Sequence, residues 1–174
     1  HLTIGGTINV MGAAAGSAVA VRFATRHPSR VNRLILVAPA LGVPADRRDA
    51  AMATADLLDR EGMRAIADAV LPKAFPDLLW ANDEARKVAL ARWYGADPEG
   101  YAAMYRAIAD PGVLDELGAL ASPTVVLAGI HDPFNPPDRL ETLAGQIPDC
   151  QFKTIEAGHF AAVQSPETLT SVLA

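Results

Sequence analysis

An aspartate and a histidine each follow a strand-like apolar run in the second half of the chain. Asp132 comes after the run from Thr124 to Ala128, and His159 comes after the run from Phe152 to Ile155. Loops at the carboxyl ends of parallel strands are where α/β sheets carry ligands and reacting groups. A carboxylate that binds one ring nitrogen of a histidine leaves the other nitrogen free to act as a general base. We therefore predict an acid–base pair of Asp132 and His159.

A tight turn of very small residues follows the first strand-like run and supplies a third position. The run from Thr7 to Met11 leads into Gly12-Ala-Ala-Ala-Gly16. Such strand-to-helix turns are typical of a nucleophile elbow, in which Gly-x-Ser-x-Gly holds a serine in a strained conformation. The central residue here is Ala14, so the nucleophile position carries a methyl group. We expect bulk at either flanking glycine to collide across the turn, and we expect the Ala15 N–H to be an oxyanion donor.

Each of these residues also has an interpretation without catalysis. The glycine turn could be an ordinary β–α connection, although it lacks both G-x-G-x-x-G and a P-loop lysine. His159 could be a loop histidine with no chemical role, and Asp132 could serve only to start a turn before a proline. In that case Asp46, after the second strand, is the alternative acid. His131 is expected to be exposed and to point away from the site. No His-Glu-x-x-His motif or cysteine cluster indicates a metal, and no cofactor is expected.

Four short β-rich runs alternate with helical stretches, which predicts an α/β fold. Besides the three runs already named, the second run extends from Leu34 to Val37. The second and third runs are continuously apolar, as in parallel strands that are buried on both faces. A helix from about Gly16 to Arg26 is expected to lie close to the sheet through its small residues and through Val19, Val21 and Phe23. We predict a parallel sheet with helices on both faces.

The long connection between the second and third strands interrupts this alternation. It contains several amphipathic helical patterns, among them Glu84 to Tyr94 and Pro98 to Ala109. A structureless loop of that length would be improbable, so we interpret it as a helical cap over one end of the sheet. The chain then divides into residues 1–40 (elbow strand, helix and next strand), 41–122 (cap) and 123–174 (the C-terminal part of the core).

Composition limits the partners and the compartment. The net charge of −5 and the scattered basic residues argue against nucleic acid. The single cysteine, Cys150, excludes an internal disulfide framework, fits a reducing compartment and is interpreted as a packing residue. No apolar stretch is long enough to span a bilayer, so no membrane association is expected. We expect a cytoplasmic protein that binds a small-molecule substrate.

The motifs together resemble the α/β-hydrolase superfamily along essentially the whole chain. The segment from Val10 to Pro39 is similar to the elbow, the following helix and the next strand of these enzymes. Within the superfamily the chain is most similar to 3-oxoadipate enol-lactonases. The matching stretches are Glu61-Gly-Met, Asp97-Pro-Glu-Gly-Tyr, Ala107-Ile, Pro123 through Pro137, Gly158-His and Gln164-Ser-Pro.

The resemblance implies acyl transfer on a small ester or lactone by a Ser-Asp-His type triad. Ala14 occupies the serine position of that triad. The resemblance also implies that Phe75 contacts the substrate. Ala74 stands where the lactonase cap usually has tryptophan. The other cap aromatics are interpreted as internal packing. The resemblance also implies a missing N-terminal segment of the same domain, which would supply a second oxyanion N–H and cover the apolar edge at Ile8 and Val10. Because of Ala14, a non-hydrolytic ligand-binding or proton-transfer protein on the same fold is the alternative.

Overall fold

The computed structural model describes residues 5–80 and 82–173. The first residue of the predicted segment 1–40 and the last residue of the predicted segment 123–174 therefore lie outside the described residues. Its strands pair in parallel in the order β1-β2-β3-β4. They are β1 (Ile8–Ala13), β2 (Val31–Val37), β3 (Thr124–Gly129) and β4 (Cys150–Ile155). Each predicted run lies at one of these strands, and the strands extend one to three residues further because backbone pairing continues past the apolar positions. Because all three pairings are parallel, the carboxyl ends of the four strands lie at one edge of the sheet.

Helices cover both faces of the sheet, as predicted. On one face, α1 (Gly16–Arg26) and α6 (Pro137–Ala144) pack against Leu34 and Leu36 of β2. On the other face, α7 (Ala161–Gln164) and α8 (Pro166–Leu173) pack in a second cluster with Ile35. Successive residues of a strand point to opposite faces, so the continuous Leu-Ile-Leu-Val run of β2 serves both layers.

The prediction that Val19 packs against the sheet is wrong. Its side chain is 72% exposed, whereas Ala20, Val21 and Ala24 form the buried stripe of α1. The helical period of 3.6 residues places position 19 away from that stripe, so an apolar side chain at this position does not indicate burial. Met11 on β1 is also 52% exposed, and β1 pairs only with β2 among the described residues. The β1 side of the sheet therefore carries exposed apolar surface.

Four α-helices lie between β2 and β3 in the described part of the predicted cap. They are α2 (Arg48–Glu61), α3 (Ala67–Ala74), α4 (Asp83–Tyr94) and α5 (Pro98–Ala109). These helices share one buried cluster, which includes Leu58, Ile66 and Trp93. Phe134 after β3 and Phe160 after β4 pack against the same cluster, so the helices lie over the carboxyl edge of the sheet.

The end of this connection belongs to the sheet layer rather than to the helical cluster. Residues Pro111–Ala119 form a 3-10 segment that packs against α1. Val113 and Leu117 are buried in the cluster that contains β2 and α6. The described residues include no helix long and apolar enough to cross a membrane.

Candidate active site

The turn after β1 has the geometry that the glycine-rich pattern predicts. Ala14 has φ 46°, a left-handed conformation that costs a non-glycine residue about 1–2 kcal/mol. Hydrogen bonds stabilise it: the Ala14 N–H donates to the Val37 carbonyl at 3.0 Å, and the Ala14 carbonyl accepts from Ala40 and Ser17 at 3.0 Å each. The turn is thus tied to the end of β2 and to the first turn of α1. Position 14 is held in the strained geometry of an elbow.

The two glycines of the turn differ in their steric need. A Cβ added at Gly12 would lie 2.6 Å from Ser17 Cα and 2.7 Å from the Gly16 carbonyl oxygen, so no side chain fits there. The Ser17 hydroxyl closes the same turn by donating to the Gly12 carbonyl at 3.0 Å. A Cβ at Gly16 would meet nothing within 4 Å among the described residues. The predicted collision is therefore confirmed for Gly12 and wrong for Gly16, which begins α1 on an open side.

The Ala15 N–H is available as a donor. Ala15 precedes α1 with φ −60° and ψ −28°, and no hydrogen bond from its N–H occurs among the described residues. The first N–H groups of a helix lack partners within the helix and lie at the positive end of its dipole. An oxygen that carries developing negative charge beside position 14 would be stabilised by such a group.

Asp132 and His159 are brought together. Asp132 Oδ2 lies 2.9 Å from His159 Nδ1, and the Asp132 side chain is fully buried. The other carboxylate oxygen accepts from the backbone N–H groups of Phe134 at 2.9 Å and Asn135 at 3.2 Å. These bonds fix the carboxylate and give a buried charge its partners. With Nδ1 bound to Asp132, Nε2 of His159 is the ring nitrogen left for proton transfer.

Close backbone contact aligns the loops that carry the acid and the base. A Cβ at Gly129 would lie 2.4 Å from the Ala157 carbonyl oxygen and 2.8 Å from that of Gly158. The His131 N–H also donates to the Ala157 carbonyl at 3.0 Å. Only glycine permits this approach of the end of β3 to the loop after β4. These backbone contacts therefore fix the distance between the loops that carry Asp132 and His159.

The alternative acid and the neighbouring histidine lie elsewhere. Asp46 is exposed in a 3-10 turn, and the carboxylate that binds His159 is Asp132. His131 points away from Asp132, as expected, but it is partly buried and has a partner: its Nε2 lies 2.5 Å from Glu156 Oε1. Because Glu156 is 70% exposed, we assign this pair a small contribution to stability.

Phe75 connects the cap to the histidine loop. Its ring stacks on Phe160 at 4.6 Å and on Trp80 at 5.1 Å, and it is buried. Phe160 in turn meets the His159 ring edge-on at 5.3 Å. The predicted substrate contact is thus part of an aromatic row that ends at the candidate base.

Gln164 is a site-supporting residue that sequence reasoning missed. Its Oε1 accepts from the Gly158 N–H at 3.0 Å, and its Nε2 donates to the Ala74 carbonyl at 2.9 Å. The oxygen thus binds the loop that carries His159 and the nitrogen binds the cap, so the side chain connects the two. The sequence marks this residue only as part of a family-like stretch before Pro166, since a lone glutamine gives no sign of a bridge between distant segments.

A cavity of about 590 Å³ lies beside this aromatic row. Phe75, Trp93, Tyr101 and Phe160 contribute to its walls, whereas Ala14, Asp132 and His159 do not line it. Burial raises the pKa of Tyr101, and the nearby Trp93 side chain acts in the opposite direction. The described residues contain no cluster of three or more side chains suited to a metal ion.

Known proteins share this architecture. Residues 5–160 match the sequence model of the family described as "Serine aminopeptidase, S33". A 3-oxoadipate enol-lactonase of Acinetobacter baylyi is 26% identical over 158 residues, 90% of this chain and 57% of that protein. A thermophilic esterase from Thermogutta terrifontis has a TM-score of 0.85 and 32% identity over 97% of this chain and 63% of the esterase. The enol-lactonase from Burkholderia xenovorans has a TM-score of 0.81 and 27% identity over 97% of this chain and 64% of the lactonase.

The match covers most of this chain but only part of its relatives. The chain spans 46–60% of the length of the curated relatives that it matches. Parallel strand order, the elbow after β1 and the loops after β3 and β4 agree with the family assignment. The chain therefore belongs to the serine aminopeptidase S33 family of the α/β-hydrolase superfamily, and it is enol-lactonase-like.

Proposed function

We propose that this chain is the catalytic portion of a hydrolase for small carboxylic esters or lactones, with position 14, Asp132 and His159 as its triad. The observation that carries the proposal is the 2.9 Å contact between the buried Asp132 carboxylate and His159 Nδ1, at the sheet edge where β1 ends in the elbow. A buried carboxylate orients the imidazole and stabilises the imidazolium that forms when the ring takes a proton.

With serine at position 14, the chemistry would proceed through an acyl-enzyme. The hydroxyl oxygen attacks the carbonyl carbon while His159 Nε2 takes its proton, and the Ala15 N–H stabilises the oxyanion. The imidazolium then gives the proton to the leaving alkoxide, and water hydrolyses the ester by the reverse sequence. With Ala14 no acyl-enzyme can form, so we expect the chain as it stands to bind substrate with little or no turnover.

The substrate class is supported by the relatives and by the cap. Of the three relatives described above, two are enol-lactonases and one is an esterase. Phe75 lies in the row of rings that reaches His159, so we propose that it contacts the bound substrate. We further propose a cytoplasmic location, supported by the single cysteine, and a preceding segment of the same domain that covers the exposed apolar side of β1.

Ala14 itself favours a second candidate function. A protein that keeps the acid–base pair and lacks the nucleophile could bind a ligand or transfer protons without forming a covalent intermediate. The encoding gene separates the two: a serine codon at position 14 would remove the reason for this alternative.

The role of His159 can be tested in full-length protein that carries the Ala14→Ser substitution. We expect a further His159→Ala change to lower turnover of p-nitrophenyl acetate by about three powers of ten, because the general base and the acid for the leaving group are both lost. The matched control is His131→Ala, which removes a nearby histidine that bonds Glu156 instead. It should leave turnover within about two-fold, given the small energy of an exposed pair. Equal losses in both variants would contradict the assignment.

A further inference from the structure

The cavity in the cap is bounded by one face of α4 and by the segment after His159. Ala85, Val88, Ala89 and Arg92 line it from α4, at the three- and four-residue spacing of a single helix face. Phe160 and Val163 line it from the core side. Two of these α4 residues are alanines, whose side chains are too short to fill the space, so a slot remains between α4 and the aromatic residues.

The walls of the slot suit a flat apolar group. Phe75 and Phe160 stack with an angle of only 6° between their ring planes, and both line the cavity. Trp93 and Tyr101 add aromatic surface. A volume of about 590 Å³ falls in the range of small-molecule sites, about 300–1,000 Å³. Burial of an apolar ring on these walls would be favoured by removal of apolar surface from water.

The polar groups of the cavity argue for a neutral ligand. Glu84 and Arg92 are both exposed, carry opposite charges and lie two helical turns apart on α4. Asn82 uses its side-chain oxygen to accept from the Ala85 N–H, so that oxygen caps α4. A charged group in the slot would lose water and gain no net countercharge.

We propose that this cavity binds the flat apolar part of a neutral ester or lactone, an inference that rests on the proposed hydrolase function. The position of Phe160 supports the link between cavity and chemistry. Its ring forms part of the cavity wall and also packs edge-on against His159. A ring bound in the slot would therefore be separated from the candidate base by the Phe160 side chain.

Ala14 makes binding measurable without turnover. In the full-length Ala14 protein, methyl benzoate, benzoate and methyl acetate are titrated while the indole N–H resonance of Trp93 is followed by NMR. We expect methyl benzoate to shift this resonance, and we expect benzoate and methyl acetate to bind at least about ten-fold more weakly, because one adds a charge and the other lacks the ring. Benzoate that binds as tightly as methyl benzoate would overturn the neutral assignment.

A substitution that fills the cavity tests whether methyl benzoate binds there. Ala85→Phe puts a ring into the cavity, and the matched control Ala91→Phe makes the same change at an exposed position of α4 outside it. Methyl benzoate should bind about ten-fold more weakly to Ala85→Phe and within about two-fold of the unaltered protein to Ala91→Phe. If Ala85→Phe does not fold, Val88→Asp replaces it, since Val88 is partly exposed at the rim and an acid there should weaken binding similarly.

The outcomes separate this inference from the proposed function. Weaker binding to the filled variant, without hydrolysis by the Ala14→Ser protein, would support the cavity and contradict the hydrolase. Hydrolysis by the Ala14→Ser protein, with binding unchanged in the filled variant, would support the hydrolase and overturn the cavity assignment.

Discussion

Replacement of Ala14 by serine in the full-length protein should create esterase activity. We expect turnover of p-nitrophenyl acetate to rise by at least about three powers of ten over the Ala14 protein, since loss of a triad member in serine hydrolases costs several powers of ten. The backbone needs no change for this gain: Ala14 already has φ 46°, with hydrogen bonds at its N–H and its carbonyl. We therefore expect the hydroxyl group to be all that position 14 itself lacks.

The matched control for this gain is Ala13→Ser, one residue earlier at the exposed end of β1. It adds the same hydroxyl one residue before the nucleophile position, so we expect turnover to stay at the level of the Ala14 protein. Rates are measured at saturating ester, with circular dichroism to verify folding. A folded Ala14→Ser protein without gain, or an equal gain in both variants, would refute the nucleophile assignment.

Gly129→Ala should strongly destabilise the protein. The added Cβ would lie 2.4 Å from the Ala157 carbonyl oxygen, a backbone atom that cannot rotate away. Relief of the contact requires the end of β3 to separate from the loop of His159. We expect the free energy of unfolding to fall by about 3 kcal/mol or more, at the upper end of overpacking costs. Denaturation by urea measures this loss.

Gly16→Ala is the control for that prediction. None of the described residues crowds position 16, which begins α1, so alanine should be neutral or stabilise by up to about 1 kcal/mol through its higher helix propensity. Losses of similar size at both positions would show that the close approach of the two loops is not what Gly129 provides.

Local patterns predicted the strands and the positions of Asp132 and His159 after them, because each of these features depends on residues close in sequence. The continuous apolar run of β2 reports burial on both faces, and an aspartate or histidine just past a strand end can only lie at the carboxyl edge. The pairing of Asp132 with His159 then follows from the adjacency of β3 and β4 in the sheet.

Other features depend on distant segments and left no local sign. Val19 is apolar yet exposed, because the face of α1 that meets the sheet is set by the packing of Ala20, Val21 and Ala24 against distant strands. The bridge from Gln164 to Ala74 spans 90 residues, and the cavity exists only because α4 stands beside Phe160. Gly12 and Gly16 cannot be distinguished by residue type. Only the three-dimensional turn shows that Gly12 is crowded and that none of the described residues crowds Gly16.

The rate at which a fluorophosphonate labels the Ala14→Ser protein, followed by intact mass, tests most directly whether position 14 lies within reach of His159. We predict a single adduct on residue 14, and we predict that His159→Ala slows its formation by about two to three powers of ten, the usual contribution of a general base. Labelling at an equal rate with and without His159, or at another residue, would contradict the triad.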